Sequence, residues 1–193
     1  MSYVFNEKYF EAEIILENGT LFLSPEDRQS IEHVLNKENI GFTCIELRSG
    51  PQASLFSGII IFINENLTTL IINGLLMPSV YDTMKFVFNR IINGIKNGPI
   101  KIVTSNKISI PTPILKFSTT KGHLEAPIPE NLSGMQFEKY IDLLIDAIQS
   151  LTSDEINKEH LIAEYEFEKG KVQIKSILEY GRAQYEKQQI KNS

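Results

Sequence analysis

Residues 51–77 read PQASLFSGIIIFINENLTTLIINGLLM, and Glu65 is the only charged side chain among them. A run of this kind has to be hidden in a core, against a partner or against a membrane, because exposed apolar surface costs roughly 25 cal/mol per Å2. The next stretch, PSVYDTMKFVFNRIINGIKNG, has the spacing of an amphipathic helix. Tyr81, Met84, Phe88, Ile91, Ile92 and Ile95 make one wide stripe, and Asp82, Lys85, Asn89, Asn93 and Lys96 lie largely opposite.

Periodicity alone does not settle the first half of this unit. As a hairpin, residues 56–63 and 67–72 pair across Asn64-Glu65-Asn66. As a helix, Leu55, Ile59, Phe62 and Ile63, then Leu67, Leu70, Ile71 and Leu75, share a side. Isoleucine enrichment favours strand, whereas length and the spacing favour helix. Helix is the favoured reading, because Met77-Pro78-Ser79 looks like a helix boundary, with Ser79 as the cap. A membrane-spanning helix needs about 20 apolar residues. The run is broken at Asn64-Glu65-Asn66, and Glu65 would be costly in lipid. Burial in protein is therefore preferred, and membrane contact by a hairpin is the weaker alternative.

The flanking sequence mixes strands and helices. Residues 9–16 and 20–23 read as strands around the Asn18-Gly19 turn. Ser24-Pro25-Glu26-Asp27 opens a helix with a cap, a first-turn proline and acids at its positive end. Residues 42–47 and 100–104 read as strands, and 114–119 and 123–128 as a hairpin across Lys121-Gly122. Ser133 to Gln136 matches a capping box opening a helix to about residue 151. Tyr165 and Phe167, then Val172 and Ile174, flank Lys169-Gly170 as a further hairpin. No regular β-α-β rhythm is legible. The expected fold is α+β, a mixed or antiparallel sheet packed on helices around a central apolar helical unit at about 52–97. The expected division is a core of residues 1–153 and a charged hairpin and helix appendage of residues 154–193.

A chain of 193 residues can bury a sizeable core. Its net charge of −5, with no Lys/Arg run, argues against a nucleic-acid partner. Cys44 is the only cysteine, which excludes an internal disulfide and a cysteine-based zinc cluster. The N-terminal residues carry acids and no apolar signal core, so cytoplasmic localisation is the expectation.

Nucleophile-elbow, phosphate-loop, dinucleotide, zincin and C-x-x-C patterns are all absent. No cofactor or metal is expected. His33, His123 and His160 are far apart in sequence, and His160 with Glu164 reads as a surface pair. Tyr81, Asp82 and Lys85 are the weak catalytic candidates, since an acid beside a lysine can tune a proton-transfer group. Helix support explains the same three residues. Asp142 and Asp146 read as a solvated helix face. Arg48, Ser49 and Gly50 form the best candidate for a small anion, at a strand exit ahead of the apolar unit.

The order of strand, R-S-G-P, apolar helical unit, amphipathic helix and strand over residues 41–104 resembles small accessory proteins of bacterial conflict and antiviral systems, in architecture and without a diagnostic motif. The leading reading is a non-catalytic cytoplasmic interaction or accessory protein, in such a defence or conflict setting. It would assemble as a homo-oligomer or with a protein partner, with Ile60, Ile61, Phe86 and Phe88 near the contact. The alternatives are an anion- or nucleotide-sensing module built on the Arg48 loop, and a small enzyme built on Tyr81, Asp82 and Lys85.

Overall fold

The structure, a computed structural model, describes residues 10–46, 58–98, 102–103, 108–130, 132, 134–151, 155 and 160–191. Strand β1 (Ala12–Glu17) runs parallel to β2 (Ile40–Ile45), and α1 (Pro25–Lys37) bridges them. The start of α1 follows the sequence: the Ser24 hydroxyl oxygen accepts the Asp27 N–H at 3.1 Å, ahead of Pro25 and two acids. The strand expected over residues 20–23 does not form. A hairpin there would need a free edge of β1, but β2 occupies one edge and the next strand the other. Instead Asn18 takes a left-handed φ of 52° and Gly19–Leu21 closes a 3-10 turn. Gly19 tolerates no side chain, since a Cβ would sit 2.5 Å from Cys44 Sγ.

The apolar unit is half strand and half helix, which corrects both readings of 52–76. Strand β3 (Gly58–Ile63) lies between β1, antiparallel, and β6 (Thr112–Ser118), parallel. Ile59, Ile61 and Ile63 are buried on the helical side, while Ile60 and Phe62 are half-buried on the other. Both faces are apolar, so the strand reads as a continuous hydrophobic run rather than an alternating one. Asn64 ends it: Oδ1 accepts the Leu67 N–H at 3.1 Å and caps α2 (Glu65–Ile72). Helix α3 (Pro78–Asn97) follows. Its N-cap is Met77 rather than Ser79, with Pro78 in the first turn, and the Ser79 hydroxyl donates to Glu38 Oε2 at 3.2 Å.

Short strands β4 (Ile102–Val103) and β5 (Ile108–Ser109) pair with each other. The expected hairpin is β6 and β7 (His123–Pro127), antiparallel, with Phe117 opposite Leu124. Helix α4 (Gly134–Gln149) then leads to β8 (His160–Glu166), parallel to β7, and β9 (Lys171–Ser176) returns antiparallel through the expected Lys169-Gly170 turn. The chain closes with α5 (Ile177–Lys191). Ser133, the expected cap of α4, lies outside the described residues.

Sheet order is β2-β1-β3-β6-β7-β8-β9, seven strands in alternating parallel and antiparallel pairs. The fold is thus α+β with a mixed sheet. Crossovers β1-α1-β2 and β7-α4-β8, together with the longer one from β3 to β6, supply the β-α-β units that the sequence does not announce. Residue 153 falls inside the last crossover, so β8 and β9 extend the sheet that holds the preceding strands. One sheet face, with Leu16, Ile61, Leu115 and Leu124, shares a single core with Leu35, Leu67, Phe88 and Leu144 of α1 to α4.

Asn64 joins β3, α2 and the start of β1. Its Nδ2 also donates to the Glu11 carbonyl at 2.7 Å. Asn64→Ala should therefore cost about 2 kcal/mol, a cap plus one hydrogen bond. In urea the midpoint should fall with an unchanged slope.

Candidate functional site: an apolar turn beside an acidic groove

Tyr81 and Lys85 do come together, but around Asp142 of α4 rather than Asp82, which is exposed on the outer side of α3. The Tyr81 hydroxyl donates to Asp142 Oδ1, Lys85 Nζ reaches the same oxygen at 2.9 Å, and the ammonium lies 5.1 Å from the Tyr81 ring centroid. Burial first, then the hydrogen bond and charge of Asp142, push the Tyr81 hydroxyl well above its ordinary value of 10. Burial tends to raise Asp142, but Tyr81 and Lys85 outweigh it and hold the carboxyl below its ordinary 3.8. A phenol held protonated beside a carboxylate held ionised is a clamp between α3 and α4. Neither of the two is poised to exchange a proton near neutrality. The sequence reading placed Asp142 on a solvated face, because nothing local shows that α4 lies against α3.

The sheet face opposite the helices carries a second cluster. Glu125 Oε1 bridges Lys116 Nζ at 3.3 Å and His123 Nε2 at 3.2 Å, and the His123 and His160 rings, paired across β7 and β8, are 4.2 Å apart. Burial, then Lys116 and His160, lower the His123 pKa from its ordinary 6.5 against the pull of Glu125. Among the described residues no three His, Cys, Asp or Glu side chains stand close enough to hold a metal ion. His160 therefore pairs with His123 rather than forming the helical pair with Glu164 suggested by spacing. Glu164 instead binds Lys175 at 2.8 Å.

Of the four expected contact residues, Ile61 and Phe88 are fully buried in the core. They cannot meet a partner without opening the fold. Ile60 is half-buried on the opposite sheet face, and Phe86 is 44% exposed on α3. Arg48, Ser49 and Gly50 lie outside the described residues. Among the described residues no helix is long and apolar enough to cross a membrane.

Further exposed apolar surface of the unit lies around the turn from α2 to α3. Gly74, at φ 64°, donates to the Ile71 carbonyl at 3.0 Å, and Leu75 N–H to the Leu70 carbonyl at 2.9 Å. This pair of bonds is a Schellman motif, whose usual apolar contact would be Leu70 with Leu75. Yet Leu75 is 63% exposed, Met77 61% and Leu70 38%. Three large apolar side chains within eight residues thus face water on a turn with fixed backbone.

Beside the turn lies a groove of about 360 Å3, bounded by α2, the start of α3 and the starts of β1 and β2. Ala12, Ile40, Leu67, Leu70 and Val80 make its apolar part, and Glu11 and Glu38 contribute carboxylates. Asn64 and Asn66 hold the near wall, each donating to the Glu11 carbonyl, and left-handed Asn39, φ 58°, swings the chain from α1 into β2. The sequence reading carried an apolar helix through Leu75 to Met77-Pro78-Ser79, so only that boundary was visible. The groove was not, because it combines residues from four separate segments.

No protein family, curated protein or solved structure matches the chain.

Tyr81→Phe should lower stability by about 1 kcal/mol, the usual net value of one hydrogen bond. Equilibrium urea unfolding at neutral pH measures it. The lowered His123 pKa means that the unfolded chain takes up a proton more readily than the folded one. Its stability contribution is whole above pH 6.5 and is lost as pH falls through the folded value. Melting temperature should therefore fall more steeply on acidification below pH 6.5 for the wild type than for His123→Gln.

Proposed function

We propose that the protein is a non-catalytic binding module that docks a partner protein through the α2–α3 turn. One observation carries this reading: Leu70, Leu75 and Met77 are exposed together on a turn whose backbone bonds already fix its shape. Single exposed leucines are ordinary, whereas neighbouring ones on a rigid turn are the usual mark of a contact surface. A preformed turn also loses little conformational freedom on association. The Tyr81–Asp142–Lys85 clamp supports the same reading, since its members are occupied with one another. The likeness to accessory proteins of conflict systems invoked an apolar helix after the Arg48 loop. Residues Gly58–Ile63 are a strand, so that likeness adds nothing to the proposal.

The test is photo-crosslinking in the cell of origin. A benzophenone amino acid at position 75 should give a discrete adduct heavier than the 22.0 kDa chain. The same group at position 82, exposed on the outer side of α3, should not. Met77→Glu should remove the adduct with the melting temperature unchanged. Equal labelling at both positions, or none at position 75, would overturn the reading.

A further inference from the structure

Resting on that docking surface, the geometry points to the class of partner: a segment that places an apolar side chain in the groove beside the turn and a lysine or arginine at its rim. Leu70, one of the three exposed apolar side chains, also lines the groove, and Leu75 and Met77 lie in the chain between it and Val80, another lining residue. Its volume is at the small end of the roughly 300–1,000 Å3 typical of ligand pockets. By itself it buries too little for a stable protein interface, which needs about 1,200–2,000 Å2 in total. The groove is thus an anchor point, and the apolar turn extends the contact.

The charge of the lining sets the sign of the partner. Among the described residues, Glu11 and Glu38 are its titratable groups, and no lysine, arginine or histidine lines it. Neither carboxylate has an ion-pair partner among the described residues, and the one polar contact of the Glu38 carboxylate there is the Ser79 hydroxyl at 3.2 Å. Glu11 is exposed and Glu38 half-buried, so their pull on an approaching charge is modest and screened by salt. An approaching cation gains there and an approaching anion loses. A second copy of this chain, with net charge −5, is disfavoured on the same ground.

The probes are three acetylated pentapeptide amides: alternating lysine and leucine, glutamate and leucine, or lysine and serine. Each is titrated into the full chain and followed by amide NMR shifts at Ile40, Leu70 and Val80. The lysine–leucine peptide should bind best, and both comparators should bind at least about tenfold more weakly. The double variant Glu11→Gln/Glu38→Gln should weaken the lysine–leucine peptide by roughly three- to tenfold, as for two partly exposed ion pairs. Raising salt from about 0.05 to 0.5 M should weaken it as well. Leu70→Ser should weaken it while the double variant's melting temperature stays near wild type. Equal or tighter binding of the glutamate–leucine peptide, indifference to the double variant, or no shift at Ile40 and Val80 would overturn the assignment. So would a crosslinked adduct at position 75 of twice the chain mass, which would leave the docking reading standing with a second copy as the partner. Loss of the position-75 adduct altogether would instead remove the docking reading itself.

Discussion

The arrangement depends on one strand being apolar on both sides. β3 pairs with β1 along one edge and β6 along the other, so its backbone bonds are satisfied within the sheet. Its buried side chains reach helices α1 to α4 through the common core. A polar residue at Ile61 or Ile63 would leave an unpaired group at the centre of that core, a cost of a few kcal/mol against a total stability of about 5–15. The strand then ends within one residue at Asn64, whose amide caps α2 and ties the start of β1 to it. Sheet, helix and groove wall therefore meet at a single side chain.

That same strand explains what could and could not be read from the sequence. The cap at Ser24, the stripe of α3, the hairpins at Lys121-Gly122 and Lys169-Gly170, and the α+β class were all legible, because each rests on residues close in the chain. The run from residue 58 to 72 was not, since a strand covered on both faces and a buried helix look alike as composition. The crossovers were hidden for a related reason: their helices differ in length and number, so no repeat appears. The site was half legible. Tyr81 and Lys85 stood out, whereas Leu75 was read into an apolar helix and the turn went unseen. Asp142 and the groove depend on contacts between segments as far apart as Tyr81 and Asp142, or Glu11 and Leu70.

Charged groups are distributed unevenly over the fold. Several partly buried charged groups are matched: Asp142 with Tyr81 and Lys85, Glu125 with Lys116 and His123, Glu164 with Lys175. Matched groups of this kind hold elements in register. The α2–α3 turn and its groove differ in having apolar surface without cover and carboxylates without cations among the described residues. A surface left incomplete by the fold is one that association can complete.

The alternation of parallel and antiparallel pairs has a consequence for how the chain is made. A parallel neighbour cannot be supplied by a tight turn, so β7 waits for β8 until the connection through α4 has been synthesised. The residues from Pro127 to Glu166 take about 2–8 s to emerge at roughly 5–20 residues per second. Throughout that interval β7 is a sheet edge, with main-chain groups open to any strand nearby. Once β8 has paired, β9 shields the new edge at once, because it follows through a short turn and carries Lys171 and Lys175, side chains that discourage strand addition. β9 thus covers the edge that β8 would otherwise leave open.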